Sequence, residues 1–392
     1  MAERIYLDWN ATAPLRPSAR AAMVAALDRL GNPSSVHAEG RAARQLVETA
    51  REQVAALVAA EARNVVFTSG GTEANALALT PQIERPEHRA PLRRLLLSGI
   101  EHPSVRSGGR FPREAVEEIA VRPDGVVDLP ALERKMAELG GGAEALVSIM
   151  HANNETGVVQ PVAAAAKIVH AAGGLLHVDA IQTVGRIPCD INALGADLMT
   201  ISGHKLGGPQ GTGALVKASE ALQLADPLIK GGGQERGSRG GTENVAAIVG
   251  FGTAAEEARQ GLGAEGTHIA ALRERLEAGL RTICAETVIF GAGADRLPNT
   301  TLFAVPRHKA ETVLIALDLA GIAVSSGSAC SSGKVAASHV LLAMGVAPGL
   351  ASGAIRVSLG RDNTTAEING LLIAWSKLVS RLSNGEKTGL AA

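Results

Sequence analysis

Aromatic side chains are nearly missing from this sequence: five Phe, two Trp and one Tyr among 392 residues, or 2%. A stacking platform for single-stranded nucleic acid needs such rings, so that class of function is excluded. An excess of one charge is missing too. Thirty-eight Lys and Arg face 39 Asp and Glu, for a formal net charge of -1. That balance points to neither nucleic acid nor an anionic membrane as partner. No apolar run approaches the roughly 18–20 residues that a membrane-spanning helix requires. The first ten residues read as a short charged strand rather than a secretory signal. Cysteine is scarce, with Cys189, Cys284 and Cys330 widely spaced. An odd, scattered set excludes a disulfide framework and a CxxC zinc site, and favours a reducing, cytoplasmic setting. Histidines show no metal-ligand spacing.

What is present is a large apolar fraction, 46%, and 45 glycines, many in short runs suited to tight loops near a ligand. The length predicts about two domains. Apolar runs at 65–67, 94–97, 145–150, 175–178, 198–202 and 213–216 read as strands, and helical patterns at 42–59, 129–139 and 162–172 lie between them. This alternation predicts an α/β fold with a mainly parallel central sheet flanked by helices, its buried strands continuously apolar. After about residue 250 the pattern changes to a long helical stretch, 254–283, and shorter strand candidates at 301–304, 322–325 and 355–359. The expected division is a large domain, 16–255, and a smaller α+β domain formed by 1–15 and 256–392.

Three strand ends carry chemistry. Thr68-Ser69-Gly70-Gly71-Thr72-Glu73 follows a strand and opens a helix. Unpaired N–H groups and the helix dipole make such a turn an anion site, although an ordinary βα turn with Thr72 as N-cap reads the same way. Asp179 ends the run 175–178, where α/β sheets bind ligands. A carboxylate there suits a pyridinium nitrogen, and it equally suits a helix cap. Lys205, in Ser202-Gly203-His204-Lys205-Leu206-Gly207-Gly208, follows the next strand. It is placed to form an imine with a carbonyl cofactor, with Ser202 and His204 as phosphate donors; alone it would be a solvated loop lysine. Phosphate donors, ring aspartate and imine lysine on successive strands resemble the fold-type I pyridoxal phosphate (PLP) enzymes of the class V aminotransferase group.

A further segment, Ser325-Ser326-Gly327-Ser328-Ala329-Cys330-Ser331-Ser332-Gly333-Lys334, sets a cysteine among small, polar residues. Hydroxyls and cations nearby favour the reactive thiolate, whereas Cys189 and Cys284 read as structural. This segment is similar to the active-site loop of the group I cysteine desulfurases, the NifS/IscS family. Residues 6–12, 31–35, 101–103, 151–157 and 236–242 match that family as well. The resemblance implies a cysteine desulfurase that converts L-cysteine to L-alanine and forms a persulfide on Cys330. Lys205, Cys330 and His102 are the implied catalytic residues, His102 stacking on the cofactor ring. Gly71, Thr72, Ser202 and His204 are implied phosphate contacts, Asn154 and Gln182 ring contacts, and Asp179 the partner of the ring nitrogen. Thr242 is implied to reach the phosphate of the other subunit of a homodimer. Arg356, with Asn32, is the implied clamp on the substrate carboxylate, a task for which a planar guanidinium is suited. No intrinsic metal is expected, Cys330 serving at most as a cluster ligand shared with a scaffold. The implied partner is an iron–sulfur scaffold or another persulfide-accepting protein. The alternative reading is a selenocysteine lyase or a related class V aminotransferase, which would have no use for Cys330 in transamination.

Overall fold

The computed structural model describes residues 4–86, 89–140, 144–327 and 337–389. Seven strands form the main sheet: β1 (Val65–Thr68), β2 (Arg94–Ser98), β3 (Val116–Ile119), β4 (Ala145–Ser148), β5 (Leu175–Asp179), β6 (Leu198–Ser202) and β7 (Gly213–Lys217). Their order is β1-β7-β6-β5-β4-β2-β3. Neighbours from β6 to β3 pair in parallel, and β7 alone runs against both its neighbours. The mainly parallel α/β fold read from the sequence is what the chain adopts. Strands β4, β5, β6 and β7 are buried along their whole length. That is why they read as unbroken apolar runs. The charged edge strand β3, Val-Glu-Glu-Ile, carried no such signal.

Helices pack on this sheet: α1 (Pro17–Leu27), α2 (Ala38–Leu57), α3 (Gly71–Ala78), α4 (Leu129–Glu138) and α5 (Val162–Ala171). The long helix α6 (Val245–Ile283) has 39 residues, about 58 Å at 1.5 Å per residue. Its first half packs Phe251, Ala254, Ala255 and Ala258 into the core under the main sheet. Its second half packs Ile269, Leu272, Leu276 and Leu280 into a separate core with Leu7, Phe303, Ile355 and Trp375. The boundary drawn at residue 255 therefore falls inside one continuous helix, which begins at Val245, four residues after the Arg236–Gly241 run, rather than at 254. Gly250 and Gly252 concealed that start. Neither breaks the helix. A methyl on Gly250 would meet Met23 Cγ at 2.5 Å, and one on Gly252 would meet the Ala50 Cα at 2.6 Å, so both glycines let α1 and α2 pack close.

The second core lies on an antiparallel sheet of β8 (Val288–Ile289), β9 (Thr300–Ala304), β10 (Ser325–Ser326) and β11 (Ile355–Ser358), in the order β8-β9-β11-β10. The chain start joins it. Ile5–Tyr6 pairs with Ile322–Ala323, and Asp8 bridges to Ser358. Helices α7 (Ala310–Leu319), α8 (His339–Ala343) and α9 (Thr365–Gly389) complete this part.

Candidate active site

The carboxyl ends of the parallel strands converge on a cavity of about 250 Å³. This is where open α/β sheets place ligands. Nine of the residues singled out above line it. Gly71 and Thr72 come from the start of α3, and Ser202, His204 and Lys205 from the end of β6. Asp179 and Gln182 come from the end of β5, His102 from the turn after β2, and Asn154 from the turn after β4. Ser104, Met150, Ala152 and Ile181 complete the wall.

Each group is held by local structure. Gly70 enters α3 with a φ of +157°, a backbone conformation that favours glycine, and a methyl on Gly71 would meet Ile181 Cδ1 at 2.3 Å. Ile181 thus fills the space a side chain at 71 would take, and the open helix start stays exposed to the cavity. Lys205 Nζ donates to the main-chain oxygens of Asn10 and Ala11, at 2.5 and 2.8 Å. Asp179 Oδ1 accepts from the Ile181 N–H at 3.0 Å and Oδ2 from Asn75 Nδ2 at 2.9 Å. Burial raises the Asp179 pKa, and these two donors pull it back toward the ionised form. His102 Nδ1 accepts from the Ser104 N–H at 3.2 Å and lies 2.8 Å from the Ser104 hydroxyl, capping the helix Pro103–Arg106. Burial pushes its pKa down, which favours the neutral ring. Burial, with Lys205 and Arg186 adjacent, likewise takes His204 down to about 4, leaving a neutral donor or acceptor.

Arg356 stands behind the cavity wall. Its Nη1 donates to the main-chain oxygen of Asn154 at 3.0 Å and its Nη2 to Asp8 Oδ1 at 2.9 Å. The guanidinium is buried, and its Nε has no hydrogen-bond partner among the described residues. Asn32 is not brought to the cavity of its own chain: it is exposed, and its side-chain oxygen accepts from the Ser34 N–H. Thr242 is exposed and does not line the cavity either. Cys330 lies outside the described residues. Of the residues flanking its segment, Ser338 donates its hydroxyl to Glu155 Oε2 at 2.5 Å, and a methyl on Gly327 would meet the same oxygen at 2.9 Å. Burial raises the Glu155 pKa to about 7.

Four polar residues to which the sequence reading gave no role serve this site. Asp8 and Glu155 are two of them. Arg186 is the third: it donates to the main-chain and side-chain oxygens of Gln182, at 2.9 and 2.5 Å, and burial with Arg356 nearby takes it down to about 9. Its place four residues after Gln182 was the available signal. Asn75 is the fourth, fully buried on α3.

The family model for aminotransferase class-V matches residues 5–371. A cysteine desulfurase from Gluconacetobacter diazotrophicus is 41% identical, covering 96% of this chain and 94% of the relative. The cysteine desulfurase IscS of Dictyoglomus turgidum is 37% identical, covering 97% and 96%. Among solved structures, a NifS-like protein from Rickettsia africae superposes with a TM-score of 0.86 at 37% identity, covering 96% of this chain and all of that one. Proteins of this family depend on pyridoxal phosphate. The cavity fits that group: it offers an open helix start with Thr72, Ser202 and His204 for a phosphate, a buried carboxylate for a ring nitrogen, and a primary amine. At this identity over nearly its whole length, the chain belongs to the aminotransferase class-V family and, within it, to the cysteine desulfurases.

Proposed function

We propose that the protein takes sulfur from L-cysteine, releases L-alanine and holds the sulfur on Cys330 as a persulfide. The observation that carries this reading is the meeting of Lys205, Asp179 and His102 in one cavity, with the Arg356 guanidinium behind its Asn154 wall. Pyridoxal phosphate, when bound, supplies an electron sink for charge developing at the substrate Cα. Lys205 would anchor it and, once released, take the Cα proton on Nζ. Thr72, Ser202 and His204 would hold the phosphate end, with the Gly71 backbone at the open start of α3 beside them. Asp179 would keep the ring nitrogen protonated. Arg356 would take the substrate carboxylate. The Cys330 thiolate would attack the substrate sulfur, so that an S–S bond forms as the Cβ–S bond breaks. L-Cysteine and the Cys330 thiol together become L-alanine and the Cys330 persulfide, a balance that needs no outside oxidant.

The persulfide would pass to an acceptor protein, an iron–sulfur scaffold being the acceptor that the IscS name of one relative favours. A homodimer is supported by Thr242, exposed and away from its own cavity, and by the apolar side chains of Leu27, Leu30 and Val36, which are 72–86% exposed. The free cysteines Cys189 and Cys284 accord with a reducing cytoplasm. Among the described residues no helix is long and apolar enough to cross a membrane. The two packing cores support a larger cofactor domain and a smaller domain sharing α6.

The test is to follow L-alanine and sulfide from L-cysteine, with a reducing thiol, in the wild type and in Cys330→Ala. The variant should keep the visible cofactor band and lose both products. Undiminished sulfide release from Cys330→Ala would remove that residue from the mechanism.

A further inference from the structure

Asn75 has no place in the chemistry just described, yet its side chain is fully buried and does not line the cavity. Its amide makes three side-chain hydrogen bonds. Nδ2 donates to Asp179 Oδ2 at 2.9 Å and to Ser104 Oγ at 2.9 Å, and Oδ1 accepts from the Thr200 hydroxyl at 2.6 Å. The opposite amide orientation would set a carbonyl oxygen against the Asp179 carboxylate, so the orientation is dictated by charge.

From that orientation the protons along the network can be assigned one at a time. Ser104 accepts from Asn75, so its single hydroxyl proton is available for His102 Nδ1, 2.8 Å away. The same nitrogen takes the Ser104 backbone N–H at 3.2 Å. With two donors aimed at it, Nδ1 carries no proton, and the proton of the neutral imidazole sits on Nε2. In the other direction, Thr200 gives its one proton to Asn75 and therefore accepts from His177 Nε2, at 3.1 Å. His177 Nδ1 then accepts from the Ser148 hydroxyl at 2.9 Å. Ser148, His177 and Thr200 are fully buried, and burial takes the His177 pKa down to about 3, so this ring stays neutral. Every donor in the run from Ser148 to His102 points the same way, and Asn75 is where it branches to Asp179.

We propose that Asn75 is a positioning residue that fixes His102 in the Nε2–H tautomer and holds it in register with Asp179. This rests on the reading of His102 and Asp179 as cofactor-facing groups. In that tautomer His102 donates through Nε2 and has no lone pair there to receive a proton. Removal of the Cα proton then falls to Lys205 alone, and His102 contributes as a ring and a hydrogen-bond donor.

The tautomer is measured directly by two-bond proton–nitrogen spectra of the full-length holoprotein labelled with nitrogen-15 histidine, the His102 signals being assigned by their loss in His102→Gln. The wild type should show His102 as a single Nε2–H species. Asn75→Leu removes the branch point, and Ser104→Ala cuts only the arm to His102, so the second variant serves if the first does not fold. In either, a second His102 species protonated on Nδ1, or a raised His102 titration midpoint, should appear, and kcat should fall more than KM rises. A wild-type His102 protonated on Nδ1 would overturn the tautomer assignment. Unaltered His102 signals in both variants would overturn the role of Asn75. Because the tautomer is read without turnover, a protein inactive on L-cysteine but carrying the expected tautomer would defeat the functional reading and leave this one standing.

Discussion

Asp8 and Arg356, 348 residues apart in sequence, form an ion pair of 2.9 Å immediately behind the cavity wall. Asp8 comes from the chain start that joins the small sheet, and Arg356 from β11. The pair holds one edge of the guanidinium while the other edge donates to the Asn154 carbonyl. Under the proposed role of Arg356 in taking the substrate carboxylate, Asp8 would hold the guanidinium in place beforehand. Asp8→Ala should therefore raise KM for L-cysteine by about tenfold, roughly 1.4 kcal/mol of binding, with a smaller change in kcat. Arg356→Lys should do at least as much, because an ammonium lacks the planar fork. Steady-state kinetics over a range of L-cysteine concentrations checks both, and unchanged KM in the two variants would contradict the clamp.

Glu155 gives stability a particular pH dependence. Its carboxyl is buried between Ser338 and Gly327, and burial raises its pKa from 4.5 to about 7. Below pH 4.5 the group is protonated whether the chain is folded or not. Between 4.5 and about 7 the unfolded chain loses this proton while the folded one keeps it, so stability falls as pH rises through that window and levels off above it. Glu155→Gln lacks the titration. Urea midpoints from pH 5 to 8 should show the wild type losing about 1–3 kcal/mol relative to Glu155→Gln. Parallel profiles would place the titration elsewhere.

Gly71 and Ile181 should behave as a coupled pair. Gly71→Ala drives a methyl toward Ile181 Cδ1, 2.3 Å from its position, and Ile181 lies over the cavity. The expected result is weaker cofactor retention, by about tenfold, as Ile181 is pushed into the cavity. Ile181→Val removes that terminal methyl and should restore retention in the double variant, an interaction energy of about 1 kcal/mol. Cofactor release followed by dialysis and absorbance measures it, and strictly additive effects would refute the coupling.

The parts of this molecule legible in its sequence are those fixed by short-range patterns. Buried parallel strands such as β5 and β6 announce themselves as apolar runs, and Asp179, Ser202 and Lys205 were visible because they stand at the ends of such runs. Edge strand β3 was not visible, because its exposed positions carry glutamate. The start of α6 was hidden by Gly250 and Gly252, whose purpose is contact with Met23 and Ala50 from distant helices. The supporting residues were hidden for the same reason. Asn75 finds its partners 29, 104 and 125 residues away, and Asp8 finds its own 348 away. An isolated asparagine or aspartate carries no mark of such a partner. The assignment of Asn32 to the carboxylate clamp shows the converse: a matching motif named the residue, but in its own chain it is exposed and bonded to Ser34.

The central claim, that Lys205 holds the cofactor with which sulfur is drawn from L-cysteine onto Cys330, is tested by trapping both attachments on one preparation. The holoprotein is divided, one half reduced with borohydride and the other given one equivalent of L-cysteine and then alkylated, and peptides from each are weighed. The account predicts a reduced cofactor on the peptide containing Lys205, and one additional sulfur atom on the peptide containing Cys330. Cofactor attached to any other lysine, or sulfur found on Cys189 or Cys284 with none on Cys330, would contradict it.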